Sequence, residues 1–561
     1  PVHEVPDRAL FGPCERGRKW LEEGLYCWFL GDYTIPEKLA GQTLFIFPKI
    51  KGYEGMLWVD KKPYGNFTSK VIPNSYGYHY CDLLTKGKAA GEQLEIALEY
   101  YSHHYVRGTQ PFEESDEVFE IAYDHVDICV KDEIVCNFFY DLHIVNQMAE
   151  SLSKEQFRRG DAVRALLRVH EIIDYDIDLA DPVEWHEKAQ KADAVLQEVL
   201  SDHNGPHAGF AGLIGHSHMD TAWLWHLDET VEKCARTYAN QLSLMDQYPD
   251  YKFIQSSAVH TSWMEQYYPA IFEGMKKRIA EGRYEPNGGV WGECDCNIPG
   301  GEFMVRQFLW GQRYTMSRFG YRSNCFWLPD TFGYSAVLPQ LLASCGVKYL
   351  VTQKIFWSYN EGDPFPYHYF NWKGMDGSQV VSFLPTNYTY RTDPKELCGV
   401  WKNRVQKRHL EDFLIPFGYG DGGGGPCRDY IEYALREKGT RGRWMNRAGY
   451  RGTGAATKLS TGARPRRRGH RGDAAVSSGR GARRREPKPA GDPAAARPDR
   501  NGGKLWTTQR IRSCSSRPFA RMCSVPARKS CLHGWRRPTF SLRPPRRAFM
   551  RHMRAACSII R

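Results

Sequence analysis

As far as about Tyr140 the chain is a series of short apolar or alternating runs: Thr43 to Phe47, Gly55 to Val59, Gln93 to Leu98 and Val118 to Ala122. Gly, Pro and Asn turns separate them, a pattern of half-buried strands that predicts a β-sandwich over residues 1–140. From Asp141 to about Leu200 the period lengthens. Leu142, Val145 and Met148 recur at helical spacing, as do Val163, Leu166 and Ile173, and Asp181-Pro182 reads as a cap followed by a first-turn proline. Residues 141–205 are therefore predicted to be a helical connector. Beyond about Gly209 the two periods alternate. Ala211 to Gly215, Lys252 to Gln255, Asn324 to Leu328, Tyr349 to Thr352, Gln379 to Phe383 and Phe413 to Phe417 read as strands. Glu229 to Gln247 and Pro269 to Glu281 read as helices. Alternation of this kind predicts a parallel α/β sheet or barrel over residues 206–438, with its loops gathered at one face. After Lys438 hydrophobic periodicity nearly vanishes.

Charge sharpens that last boundary. The chain has 561 residues and a net charge of +11. From Arg441 onward there are 32 Lys and Arg against 4 Asp and Glu, leaving 44 against 61 before it. An acidic body thus carries a basic tail, and in that tail 28 Arg stand against 4 Lys, far from ordinary usage. Residues 439–561 cannot bury enough apolar surface to offset ordering, so they are expected to be disordered, and an out-of-frame or mis-spliced origin is the favoured reading. The alternative is an Arg-rich arm for nucleic acid. No run of about eighteen apolar residues is available to span a membrane. The start, Pro-Val-His-Glu, lacks Met and a charged-then-apolar leader, which suggests a fragment of a cytoplasmic protein. The 16 cysteines have no framework of spacings and read as free thiols of a reducing compartment. Asn66-Phe67-Thr68 and Asn387-Tyr388-Thr389 fit the glycosylation pattern and are expected to be chance matches.

Candidate chemistry collects just past two predicted strands, in Gly215-His216-Ser217-His218-Met219-Asp220 and in Trp327-Leu328-Pro329-Asp330-Thr331-Phe332-Gly333. Side chains at the C-terminal ends of parallel strands face the crevice where α/β proteins bind substrate. In extended backbone, residues two apart point the same way, so His218 and Asp220 can converge. With Asp330 they make a mixed imidazole and carboxylate set that suits Zn²⁺ or a similar divalent ion. The alternative is a set of strand-end polar residues that only cap helices.

These two stretches, His216 to Trp223 and Trp327 to Ser335, resemble the signature blocks of glycoside hydrolase family 38, the zinc-dependent retaining α-mannosidases, in the cytosolic and bacterial form. Gly288-Gly289-Val290-Trp291-Gly292-Glu293-Cys294-Asp295-Cys296-Asn297-Ile298-Pro299 and Phe417-Gly418-Tyr419-Gly420-Asp421 match further blocks in order. The resemblance covers the chain to about Lys438, and beyond it implies a truncated or frame-shifted sequence. It implies a multidomain α/β protein: an N-terminal β-sandwich of jelly-roll type, a helical connector and a seven-stranded α/β barrel. It further implies hydrolysis of terminal α-D-mannose from oligomannosides, with Asp330 as nucleophile and metal ligand and Asp421 as acid/base. Taken alone, Gly420-Asp421-Gly422 would be an ordinary turn. His218 and Asp220 would complete a site for Zn²⁺, or Co²⁺ or Mn²⁺, while Trp223 and Phe332 would line the mannose subsite. Glu293 and Asp295 would hold the loop or support the site from behind. The family adds a later His ligand in a block that is absent here, and His470-Arg471-Gly472 copies only three of its residues. Expected partners are an oligomannoside, with no membrane and no specific nucleic acid. The competing readings are a metal-dependent deacetylase or other hydrolase, and an inactive fragment whose tail binds nucleic acid.

Overall fold

The computed structural model describes residues 2–68, 79–104, 119–176, 180–202, 210–223, 225–358, 365–408 and 412–439. Residues 440–561, with most of the expected tail and His470, lie outside the described residues, as does Val118 at the head of one expected strand.

The strands of the first segment are β1 (Lys19–Leu21), β2 (Tyr26–Thr34), β3 (Thr43–Lys51), β4 (Glu54–Val59), β5 (Lys62–Thr68), β6 (Asp82–Lys86), β7 (Gln93–Tyr101) and β8 (Glu120–Val130). They form two antiparallel sheets, in the orders β1-β8-β3-β6 and β2-β7-β4-β5. Alternate residues such as Leu44, Ile46, Leu57, Leu98 and Ile121 supply one buried cluster. Period-two alternation decides which side of each strand is buried.

Helices α1 (Glu133–Ser151), α2 (Phe157–Ile172) and α3 (Pro182–Leu200) follow. The helical connector starts at Glu133, earlier than the Asp141 read from the sequence. The cause is burial on several faces: Val135, Cys136, Phe138, Phe139 and Tyr140 are all buried, so the first two turns show no amphipathic stripe. The Asp132 carboxylate accepts from the Val135 amide and caps the helix. Asp181 caps α3 in the same way, accepting from the Val183 and Glu184 amides ahead of Pro182.

The α/β half contains β9 (Phe210–His216), α4 (Leu227–Gln247), β10 (Phe253–Ser257), α5 (Ala258–Tyr267), α6 (Pro269–Ala280), β11 (Tyr284–Val290) and α7 (Gly301–Phe319). It continues with β12 (Cys325–Trp327), α8 (Leu338–Ser344), β13 (Tyr349–Val351), α9 (Ile355–Ser358), β14 (Tyr369–Lys373), β15 (Gln379–Phe383), α10 (Pro394–Asn403), β16 (Asp412–Phe417) and α11 (Arg428–Gly439). Among the described residues, hydrogen bonding divides these strands into two sheets. One is all parallel, in the order β11-β10-β9-β16; the other runs β12-β13-β15-β14 and is parallel except for β14. Seven strands are thus parallel to a neighbour, in groups of four and three. The fold is mixed α/β, and no hydrogen-bonded ring closes the two groups into one sheet among the described residues.

A buried ionic contact joins the sandwich to this half. Lys233 of α4 donates to Glu54 of β4 at 2.7 Å, and Arg236 stands 2.6 Å from the same carboxylate. Losing Glu54 would take a counter-charge from two buried cations at once, which costs more than the contacts contribute.

Candidate active site

Two strands in different sheets bring the site together. β9 ends at His216 and β12 at Trp327, and the Trp327 indole N–H donates to His216 Nε2 at 2.9 Å. Burial pushes the His216 pKa down to about 3, so the ring stays neutral and can accept this bond. The first residue of one sequence block is thereby tied to the first residue of the other.

Just beyond, His218, Asp220 and Asp330 each offer a ligand atom, and these atoms all lie within 4.8 Å of one another. His218 Nε2 lies 3.4 Å from Asp220 Oδ1 and 3.5 Å from Asp330 Oδ2, too far for good hydrogen bonds. Ligand bonds of roughly 2.0–2.2 Å at tetrahedral angles separate two ligand atoms by about 3.4 Å, so this spacing fits a small divalent cation between them. His218 Nδ1 faces Glu293 Oε2 at 2.8 Å, which turns Nε2 toward the carboxylates. Burial alone would lower the His218 pKa, but Glu293 and Asp220 outweigh it and hold it well above the usual histidine range. The carboxylates around His218 favour positive charge at this point, and a divalent cation bound to the neutral imidazole would supply it in place of the ring's second proton. The side chains of Asp220 and Asp330 keep 27% and 11% exposure, so the cluster opens outward.

Asp421 joins from the glycine-rich segment after β16. Its carbonyl accepts from the Asp220 amide at 2.8 Å, and Met219 and Gly422 form an antiparallel bridge, so the segment lies against the first block. The close approach depends on glycine. A Cβ on Gly418 (φ +131°) would stand 2.4 Å from the His216 carbonyl oxygen, and one on Gly423 (φ +90°) 2.5 Å from Thr237 Oγ1. Asp421 itself has φ +62°, a left-handed conformation costly for any residue with a Cβ and most often met in Asp and Asn. Burial, aided by repulsion from Asp220 and Asp330 and opposed by His218, lifts its pKa above the usual carboxyl value.

Sequence reasoning missed the residue that links the two carboxylates. The Tyr388 hydroxyl lies 2.8 Å from Asp330 Oδ2 and 2.8 Å from Asp421 Oδ1. Two legs of 2.8 Å place those oxygens no more than about 5.6 Å apart. Tyr388 sits inside the Asn387-Tyr388-Thr389 triplet, whose Asn387 side-chain oxygen accepts from the Tyr388 and Thr389 amides and the Thr389 hydroxyl. The triplet is thus part of the site's local structure. Lys354, just after β13, is also new: its Nζ stands 3.3 Å from Asp330 Oδ1 and 5.1 Å from the Phe332 ring centre. Neither residue belongs to a block with a readable spacing, so no sequence signal marked them. The Trp223 and Phe332 rings are 51% and 66% exposed, Trp223 edge-on to Trp225 and Phe332 beside Lys354. Asp295 accepts from the Asn297 and Ile298 amides and shapes its own loop.

Residues 211–447 match the glycosyl hydrolases family 38 N-terminal domain. The human protein "Alpha-mannosidase 2C1" is 32% identical over 450 residues, covering 79% of this chain and 41% of that protein. "Alpha-mannosidase G" of Dictyostelium discoideum is 35% identical over 431 residues, covering 74% of this chain and 37% of its own length. "Alpha-mannosidase" of Saccharomyces cerevisiae is 39% identical over 233 residues, covering 41% of this chain and 21% of its own length. The chain therefore spans about two fifths or less of the length of these relatives.

Proposed function

We propose that this chain, which belongs to glycoside hydrolase family 38 through residues 211–447, hydrolyses terminal α-D-mannose from oligomannosides with net retention at the anomeric carbon. The observation that carries this reading is the pair of carboxylates held by one tyrosine hydroxyl. Retaining glycosidases place their two carboxyl groups about 5–5.5 Å apart, whereas inverting enzymes need about 6.5–9.5 Å to admit a water. A limit of about 5.6 Å between Asp330 Oδ2 and Asp421 Oδ1 supports the first class.

The proton inventory supports the division of labour. A single O–H hydrogen can be given to only one carboxylate, so two contacts at 2.8 Å are both satisfied when one acid carries its own proton. Asp421, with its raised pKa, is the group suited to carry it; Asp330 has the Lys354 ammonium 3.3 Å away as a counter-charge. In the first step an Asp330 oxygen forms a bond to the anomeric carbon as the glycosidic C–O bond breaks, and the Asp421 proton passes to the leaving oxygen. In the second, water attacks that carbon, Asp421 takes its proton, and the ester to Asp330 opens. Trp223 and Phe332 would offer apolar faces to the C–H face of the sugar.

His218, Asp220 and Asp330 would hold the metal, with Zn²⁺ favoured by the ligand set and Co²⁺ or Mn²⁺ as alternatives. When bound, the ion would supply a Lewis-acidic grip on sugar hydroxyls. The groups of four and three parallel strands would be the segments of the barrel that the family resemblance implies. The twelve cysteines among the described residues are all free thiols, which supports the proposed cytoplasmic placement. The test is Asp330→Ala, assayed on an aryl α-mannoside beside a fold check by circular dichroism. Nucleophile and metal ligand disappear together, so activity should fall by at least about a thousandfold. A folded variant that loses less than tenfold would remove Asp330 from the mechanism.

A further inference from the structure

Away from the carboxylate cluster, and sharing no residue with it, a cleft of about 420 Å³ lies between the sandwich and the α/β half. Its volume falls within the range of small-molecule sites. Three cationic side chains line it: Lys86 of β6, Lys131 just after β8, and Arg428, the first residue of α11. Glu133 is the single carboxylate of the lining, and it pairs with Lys131 at 3.0 Å. Lys86 donates to the Asp246 carbonyl at 2.8 Å, a neutral acceptor that leaves its charge uncompensated.

Arg428 is the more telling group. It is half-buried, and among the described residues no carboxylate pairs with it. Its guanidinium lies 4.8 Å from the centre of the Phe45 ring and donates to the Gln247 side-chain oxygen at 2.9 Å. The next acid inward, Asp82, is reached only through that amide: Gln247 Nε2 donates to Asp82 Oδ1 at 3.2 Å. Burial lifts the Asp82 pKa to about 6, with the Ser243 hydroxyl and the Arg428 charge opposing it, so Asp82 is largely ionised near neutral pH and acts on Arg428 without pairing with it directly. A half-buried guanidinium with no carboxylate in direct contact can still take an anion, and a planar fork of donors at a cleft suits an oxyanion. The remaining wall is mixed, with polar Gln42 and Thr43 beside apolar Leu83 and Val130 and the rings of Phe45 and Tyr248. Tyr248 commits its hydroxyl to Glu432 at 2.6 Å and leaves its ring to the cleft, beside Phe45 and Leu83.

We propose that this cleft binds a compact phosphorylated small molecule, its phosphate held by Arg428 and Lys86 and its body set against Phe45 and Tyr248. Nothing in the proposed glycosidase chemistry requires it. The test is calorimetric titration of the full chain at fixed ionic strength with inorganic phosphate, with a hexose phosphate and with the unphosphorylated hexose. Both phosphates should bind and the plain hexose should not. Tighter binding of the hexose phosphate would assign a role to the aromatic wall; equal binding would assign the site to the phosphate group alone. Charge-assisted hydrogen bonds of this kind make Arg428→Gln weaken either phosphate by about ten- to a hundredfold. Lys86→Gln, on an exposed side chain that does not endanger folding, should weaken them several-fold. Failure of both phosphates to bind, or binding unchanged in Arg428→Gln and Lys86→Gln, would overturn the proposal. Should Arg428→Gln fail to fold, the Lys86→Gln and Lys131→Gln double variant decides it alone.

Discussion

Replacing Tyr388 by Phe removes one oxygen and leaves the ring where it packs, edge-on to the His218 ring at 5.4 Å. That oxygen makes two contacts of 2.8 Å, one to each carboxylate. A hydrogen bond to a charged group contributes about 1.5–3 kcal/mol, and here the bond to Asp330 is the charged one. Removing it should therefore cost about ten- to a hundredfold in kcat/KM. The loss should fall on kcat, because the hydroxyl orients reacting groups and is not assigned to hold the bound sugar. Both an activated aryl α-mannoside and a natural mannobiose should suffer, since positioning of Asp330 is required for every substrate. Metal content should be unchanged, because the substitution leaves the proposed ligands His218, Asp220 and Asp330 in place. Steady-state kinetics on the two substrates, with elemental analysis of the same preparation, make the assay. A change below about twofold in kcat, or a loss confined to the natural linkage, would refute the bridging role.

Asp421→Ala should behave differently, sparing aryl mannosides with good leaving groups and crippling natural linkages, which need protonation. Because the Asp421 pKa is raised, its acid form persists above the usual carboxyl range and is lost as pH rises through that higher value. The alkaline limb of kcat/KM on the natural substrate should therefore belong to Asp421 and flatten in Asp421→Ala; an unaltered limb would count against it. His218→Ala should purify without stoichiometric metal, and Glu293→Gln, which weakens the grip on His218 Nδ1, should release metal to a chelator about ten- to a hundredfold faster. Full metal retention by both variants would dissolve the proposed centre.

How much of this was readable from residues alone depends on the distance over which each signal acts. His218 and Asp220 share one short extended segment, so their convergence follows from backbone geometry, and Asp330 repeats the motif at a second strand end. Asp421 carried no local signal beyond a Gly-Asp-Gly turn; its place depends on glycine-permitted contacts with His216 and Thr237, far away in sequence. Tyr388 and Lys354 reach the site from loops after β15 and β13, and only the assembled sheets bring them to Asp330. β11 went unread because Pro286, Gly288 and Gly289 interrupt it; it tolerates them as an edge strand of its sheet, with a bulge in its register against β10. The start of α1 was hidden by the opposite excess, apolar residues on several faces.

The central claim is that Asp330 and Asp421 are a retaining pair, and the anomeric form of the first product tests it most directly. Proton NMR of the earliest turnover of an α-mannoside, before mutarotation intervenes, should show α-mannose. β-Mannose as the first product would contradict the account, whatever the rate at which it appeared.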